Sequence, residues 1–595
     1  MSIDFSTLHP MGNVVIDKGQ ISKQSPDSEA LTVVTLGYFG VAAKLIHLNN
    51  RNVEYLAKIL CPGDVEDRDV IISGQDIHNK TKIMSSLCAQ GLIIQNDKLF
   101  YVAFKESLAL CSENGKSITL VNRTGWFADR RAYSTGSKIL CKDVAISNNF
   151  ILAQEMNQNM RTAGTLDQWR EHILTPCINN PFLLTAGMIA LSSLTLDISG
   201  VGSKWVNWFG KHGKGKTTML QVAASYFGNG VDPSHASPGM EDAQYISKMN
   251  ASQAGIEATL GGHFQRPFIA DELGEGTRLN LAELVYLLSG NKGTITATSS
   301  RRVAKNHEWQ TIACSAGEIS IADRIAEKGE IKGGQLDRAI DIPATGSIFF
   351  DIGDASSESA FAGILKNACA TYYGTAAEFF INWMIEHPDA FLRVQQKHFQ
   401  DIESRLTPAD CEDGAKRVVR FFANAVVTAF VAIESGLLPS TQEHVMNAFE
   451  EIVKRWWSYR KTTSPAERLA TMLFENVDKV IEISPPLDYQ KDSIYFDERY
   501  DRYCLDPMLF ETLIPGCTKA WIKSLVEKNL LVTDENNQGR FTKRYFYSRN
   551  QARRFIAINA QGISQELEQL VDEDLGEEVP ARDKSSPRVI VEEDD

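Results

Sequence analysis

The hydrophobic period of the chain changes along its length. Between residues 29 and 160, apolar positions come in short runs (LTVVTLGYFGVAAKLIHL, KLFYVAF, ITLVNRTGWF) that read as β-strands, with one helical stretch around Lys80–Gln90. This predicts an α+β domain. From 161 to 350, strand-like and helical runs alternate, the order of an α/β unit. Residues 351–463 carry helical periodicity almost throughout, as in ESAFAGILKNACATYYGTAAEFFINWMI and AKRVVRFFANAVVTAFVAI. Residues 464–558 read as a helix, a second helix (KAWIKSLVEKN) and the stretch LLVTDENNQGRFTKRYFYSR. A turn at Asn536–Gly539 predicts a β-hairpin there, and the order predicts a winged helix. The two ends carry no such period: residues 1–28 are predicted to be a loosely held N-terminus, and 559–595 a disordered tail.

Length and charge sharpen this picture. A chain of 595 residues exceeds what one core supports, so several domains are expected. The formal net charge of −14 is uneven: Gln561–Asp595 holds 12 acidic against 3 basic residues, which leaves −5 for everything before it. An acidic total therefore does not exclude a nucleic-acid partner, because local basic patches decide that. The ten cysteines include no CxxC pair and predict reduced thiols in a cytoplasmic protein. No basic region followed by an apolar core opens the chain, so no secretory signal is read. The uncharged stretch Leu174–Leu196 contains two prolines and two asparagines and predicts a buried helix, with no membrane partner.

The chemistry concentrates at WFGKHGKGKTTMLQVAASYFG, Trp208–Gly228. Gly210-Lys211-His212-Gly213-Lys214-Gly215-Lys216-Thr217 matches GxxxxGK[ST] at every fixed position, after an apolar strand and before a helix. The glycines allow backbone N–H groups to turn toward a phosphate, Lys216 reaches the β- and γ-phosphates, and the Thr217 hydroxyl coordinates Mg²⁺. Nucleotide contacts are expected from Gly210, Gly213, Lys214, Gly215, Lys216, Thr217 and Thr218, with ATP and Mg²⁺ as cofactors. Downstream, the short apolar strand of PFIADE ends in two acids. Asp271 is expected to hold the metal through water, and Glu272 to polarise the attacking water. The adjacent pair favours an AAA+ ATPase, a class that forms rings and borrows an arginine from the neighbouring subunit. Arg338, in GGQLDRAIDIP, is the candidate finger and Arg324, in ADRIAEK, its rival.

LSGNKGTITATSSRRVAKNHEWQTIACSAGEIS, GGQLDRAIDIP and the P-loop with its AASYFG helix resemble the domain-of-unknown-function family numbered 927, found in phages, plasmids and genomic islands. The resemblance is carried by residues 120–345, which include the TGW at Thr124–Trp126, and extends more loosely over the helical lid and the winged helix; the residues before 120 do not carry it. It implies an AAA+ core like that of MCM-type replicative helicases, with staphylococcal cassette helicases as relatives. A helical lid and a winged helix would follow, in a homo-oligomeric ring, a hexamer, that pulls a strand through its centre. By position it assigns Gly210–Thr217 to the nucleotide, Asp271 and Glu272 to the second motif and Arg338 to the trans finger. Ser315 falls where such proteins place a polar sensor, although MCM proteins carry Asn there. A lid sensor falls on Arg417 or Arg420, three positions apart on one helix face.

Two basic patches are candidates for DNA. NKGTITATSSRRVAKNHEW predicts a hairpin with Lys292, Arg301, Arg302 and Lys305 and no acid between Lys292 and His307. The resemblance places such a hairpin in the ring channel, where phosphate contacts grip single-stranded DNA without reading its sequence. The second patch runs from Arg540 to Arg554, with Lys543 and Arg544 among interleaved aromatics, and suits forked DNA. The expected function is a DNA helicase or translocase in replication of a mobile element, with primase or polymerase as partners. The alternative is an ATP-driven switch or loader that recruits replication or defence proteins without processive unwinding.

Overall fold

The computed structural model describes residues 4–565, apart from 25–29, 49–51, 154–155, 157–158, 233–243, 249–251, 272–279, 295–306, 327–332, 462–464, 478–479, 484–492, 515–518, 533–541, 549–550 and the single positions 11, 13, 212, 346 and 410. It divides into two compact units, Met1–Gln158 and Asn159–Asp595. The protein is a multidomain α/β structure with mixed sheets.

Among its described residues, the first unit holds three sheets and two longer helices. The helix expected near residue 80 is found at Lys80–Ala89, capped by Asn79. The run KLFYVAF is not a strand. It lies in the helix Asp97–Glu113, which buries Phe100, Ala103, Phe104, Ser107 and Cys111 on one face and is capped by the Asn96 side chain. The helical spacing of these residues overrides their local β preference. The N-terminus also differs from expectation. Phe5–Leu8 forms a 3-10 turn, Val15–Asp17 pairs with Gln20–Gln24, and Phe5 and Ile21 are buried. Burial of isolated apolar residues, Phe5, Leu8 and Ile21, accompanies order in a segment that has no period.

The second unit is built around a five-stranded parallel sheet. Its strands are β1 (Lys204–Phe209), β2 (Ser247–Lys248), β3 (Phe268–Asp271), β4 (Ile312–Gly317) and β5 (Ala339–Pro343), in the spatial order β2-β3-β4-β1-β5. All of β1 is buried, as a parallel strand covered on both faces must be. Six helices matter for the site: α1 (Pro181–Leu191), α2 (Lys216–Ser225), α3 (Gln253–Gly261), α4 (Leu281–Gly290), α5 (Ile321–Ala326) and α6 (Asp413–Glu434). The uncharged stretch becomes α1, which packs against α2 and α6; every residue from Phe182 to Leu191 is buried. The chain through Pro181–Ser199 is long and apolar enough to cross a membrane but is mostly buried inside this unit.

Among the described residues, five helices lie between Glu358 and Lys461. Beyond them, three helices cover a five-stranded sheet that contains the antiparallel pair Thr542–Ser548 and Gln551–Asn559. The turn expected at Asn536–Gly539 lies outside the described residues. Phe555, Ile556, Ala557 and Ile558, on the second strand of that pair, are buried in the core of this region.

Candidate active site

The P-loop leaves the C-terminal end of β1 and runs into α2. Gly213 and Gly215 sit at φ 78° and 82°, in the left-handed region that glycine occupies without strain. Gly210 lies against β5, where a Cβ would come within 2.9 Å of the Ala344 carbonyl oxygen. Gly215 is the N-cap of α2 and offers no side-chain cap, so the first-turn N–H groups and the positive helix end serve the loop. Lys216 is buried, and its Nζ donates to the carbonyl oxygens of Gly210 (2.7 Å) and Lys211 (2.6 Å). Burial lowers its pKa, while Glu318 and Asp271 act on it electrostatically in the opposite sense. Thr217 and Lys214 are half-buried, Thr218 is buried and Gly213 is exposed.

β4 lies between the P-loop strand and the strand that carries Asp271. Its register sets Ser315 beside Asn207 of β1 and Ala270 of β3. The Ser315 hydroxyl is buried; it accepts from Trp205 Nε1 (2.8 Å) and donates to Asn207 Oδ1 (3.0 Å). Asn207 Nδ2 donates to Asp341 Oδ1 (2.7 Å), and the Asp341 carboxylate accepts the Ile321 and Ala322 amides that open α5 (2.8 and 3.0 Å). Burial pushes the Asp341 pKa up to about 6 against these hydrogen bonds. Glu318, just beyond β4, is brought with Asp271 into electrostatic reach of Lys216. The sequence singled out its neighbour Ser315 and passed over Glu318, because only the strand order places that end of β4 beside the P-loop. Glu272 lies outside the described residues.

The P-loop chemistry asks for an ammonium, a hydroxyl, a carboxylate and free first-turn amides around one point. The present residues fit that set for Mg²⁺-ATP. Lys216 and the loop amides would hold phosphate, and Thr217 with Asp271 would hold the metal.

Arg338 sits at the other end of the sheet. Its carbonyl accepts from the Trp205 amide at the start of β1 (2.9 Å), while the P-loop begins after Phe209. The intervening strand spans about 13 Å. Its guanidinium donates to the Gly334 carbonyl (2.6 Å) and lies 5.1 Å from the Tyr286 ring centroid. Arg417 joins it through Asp337 (3.9 Å), and Arg420 pairs with Glu403 (3.1 Å). Lys204, Arg417, Arg420, Gln395 and Asn424 line an open cleft of about 840 Å³. Burial brings the Lys204 pKa down to about 8; nearby Asp337 opposes that, and Arg338, Arg417 and Arg460 add to it. Arg324 is half-buried in α5.

For the candidate hairpin, the structure describes the neck. Lys292 bridges Glu308 in antiparallel fashion, the Gly293 amide donates to the His307 carbonyl (2.8 Å), and Trp309 donates to Asn291 (3.1 Å). The Lys292 ammonium pairs with Glu308 (3.2 Å), an acid that lies just past the acid-free stretch. Arg301, Arg302 and Lys305 lie outside the described residues. Lys543 and Arg544 stand on a strand opposite Phe555 and Arg554.

The comparisons fall on this geometry. Residues 16–309 match the family model described as Domain of unknown function (DUF927). The match begins far upstream of residue 120, so the first unit carries the resemblance too, and it stops at the hairpin neck, short of Ser315 and Arg338. Among solved structures, the chain is similar to the one titled "SCCmec type IV Cch - active helicase". The TM-score is 0.58 at 15% identity, over 93% of this chain and 99% of that one. At that identity the likeness is one of fold. The C-terminal region of NrS-1 is alike only at TM-score 0.26 and 10% identity, over 67% of this chain and 87% of that one. No curated protein matches by sequence.

Proposed function

We propose that the chain is an MCM-like AAA+ ATPase that assembles into a ring, a hexamer, and unwinds or translocates DNA in replication of a mobile element. One observation carries the reading: the phosphate loop and Arg338 occupy opposite ends of one parallel sheet. An arginine so placed cannot serve its own chain's phosphates. It suits the phosphates of a second copy, as do the basic residues of the cleft beside it, Lys204, Arg417 and Arg420. The inserted β4, with Glu318 at its end, further supports an AAA+ core. The likeness to a structure titled as an active helicase points the same way.

Bound ATP supplies the phosphoanhydride whose cleavage drives the cycle. Lys216 and the α2 amides would orient the phosphates, and Glu272 would hold the proton of the attacking water. Arg301, Arg302 and Lys305 would grip the single strand, and the Lys543–Arg544 strand the fork.

The test is ATP turnover with and without single-stranded DNA, followed by fork unwinding with the same preparation. Stimulated turnover, unwinding and their loss in Lys216→Ala and Glu272→Gln are expected. Native turnover in either variant would falsify the active site. Turnover without unwinding would return the protein to the switch or loader class.

A further inference from the structure

The neck of the candidate hairpin is held by a residue from another element. Glu257 lies on α3, the helix that leads into β3 and Asp271. It is buried at 8% exposure. Its Oε2 accepts the Thr294 amide (2.9 Å) and its Oε1 the Thr294 hydroxyl (2.7 Å). Gln253, one turn earlier, donates to both Glu257 (3.2 Å) and Thr294 (3.2 Å). A Cβ at Gly293 would come within 2.6 Å of Glu257, and one at Gly261, the last residue of α3, within 2.6 Å of His307. Both arms of the neck therefore rest on one helix, the first on Gln253 and Glu257 and the second on Gly261. Burial raises the Glu257 pKa, but the Thr294 and Gln253 hydrogen bonds outweigh it and hold the group below the usual carboxylate range. Hydrogen bonds to an ionised, buried acceptor are the strong kind.

The chain after α3 makes the link continuous. Phe264 bridges Gln310, and the Thr311 hydroxyl donates to the Arg266 carbonyl (2.7 Å), so β3, which ends in Asp271, and β4, which leads to Glu318, start where the neck ends. We propose that Glu257 is a positioning residue that couples the nucleotide site to the hairpin: it clamps Thr294 so that movement of α3 and β3 is passed to the neck. This rests on the helicase reading given above. Glu257 touches neither nucleotide nor DNA in this scheme. Removing it is expected to separate the two activities while leaving each in place.

The experiment uses the full chain and compares Glu257→Ala and Glu257→Gln with the parent. In Glu257→Ala, DNA-free ATP turnover and the salt slope of single-strand binding are expected to stay native. DNA stimulation of turnover is expected to fall at least about fivefold, the lower end of ordinary site–site coupling. The Gln variant should recover part of it, because its amide oxygen still accepts from Thr294. Native stimulation in Glu257→Ala would overturn the proposal, as would an equal loss of DNA-free turnover, which marks a merely structural role. Hydrogen exchange at Gly293 and Thr294 provides a readout that needs no turnover. These amides should be protected in the parent and exchange faster in Glu257→Ala; unchanged protection also overturns the clamp. A parent without ATP turnover would instead overturn the functional reading, with the clamp still judged by exchange.

Discussion

A single carboxylate, Asp341, joins the sheet centre to α5. It is fully buried, and its three N–H donors come from Asn207, Ile321 and Ala322. Burial raises its pKa from 3.8 to about 6, so the folded state binds the proton more tightly than the unfolded chain. That contribution to stability is fully present below pH 4 and is lost as the pH rises through 6. The lost term is on the order of 3 kcal/mol at about 1.4 kcal/mol per unit. Asp341→Asn turns an amide NH₂ toward one of the donors and should cost about 1–3 kcal/mol. The deficit should be larger at pH 4.5 than at pH 7.5, as measured by thermal melts of both proteins. A constant deficit over that range would mean that Asp341 stays ionised throughout. Nothing in the sequence marks this residue: GGQLDRAIDIP drew notice for Arg338, and Asp341 acquires its partners only when β5 pairs with β1.

At the scale of elements, the candidate hairpin makes the sharpest claim. Its basic residues Arg301, Arg302 and Lys305 were legible from composition, and its antiparallel neck is present at Lys292–Glu308. The triple alanine variant is expected to reduce the salt slope of single-strand binding by about 0.7 for each phosphate that is no longer neutralised, roughly 2 in all. DNA-free turnover should survive, because no tip residue belongs to the phosphate loop. An unchanged slope would remove the tip from the DNA path. In the helix Asp97–Glu113, burial of one face decided between local signals that conflicted.

At the scale of the whole molecule, the sheet holds the P-loop and Arg338 at opposite ends, and in the proposed ring the two would meet only across a subunit interface. Arg338→Ala should abolish turnover through the neighbour, by about 10³–10⁵ as for trans arginine fingers in related chemistry. Mixing inactive Arg338→Ala with inactive Lys216→Ala should restore activity, because some interfaces then receive one intact half from each subunit. Mixed rings that assemble but stay inactive would indicate a cis or structural role. The pH also enters at this scale. The Lys204 ammonium, with a pKa of about 8, gives up its charge as the pH rises through 8. Ring affinity that depends on the basic cleft should weaken from pH 7 to 9, and Lys204→Met should flatten that dependence in sedimentation measurements.

The sequence alone determined the phosphate loop, since GxxxxGK[ST] is local: a short run of peptide units and a helix start are enough to build it. It also determined the order of β-rich, α/β and helical regions, which periodicity encodes along the chain. Tertiary structure decided what depends on strand order and on distance. It inserted β4 between β1 and β3, which brought Glu318 rather than Ser315 toward Lys216. It set Arg338 at the far end of β1 from its own P-loop, and it joined Glu257 to Thr294 across 37 positions. These pairings are non-local, and no period or motif in one segment records which distant segment it will meet.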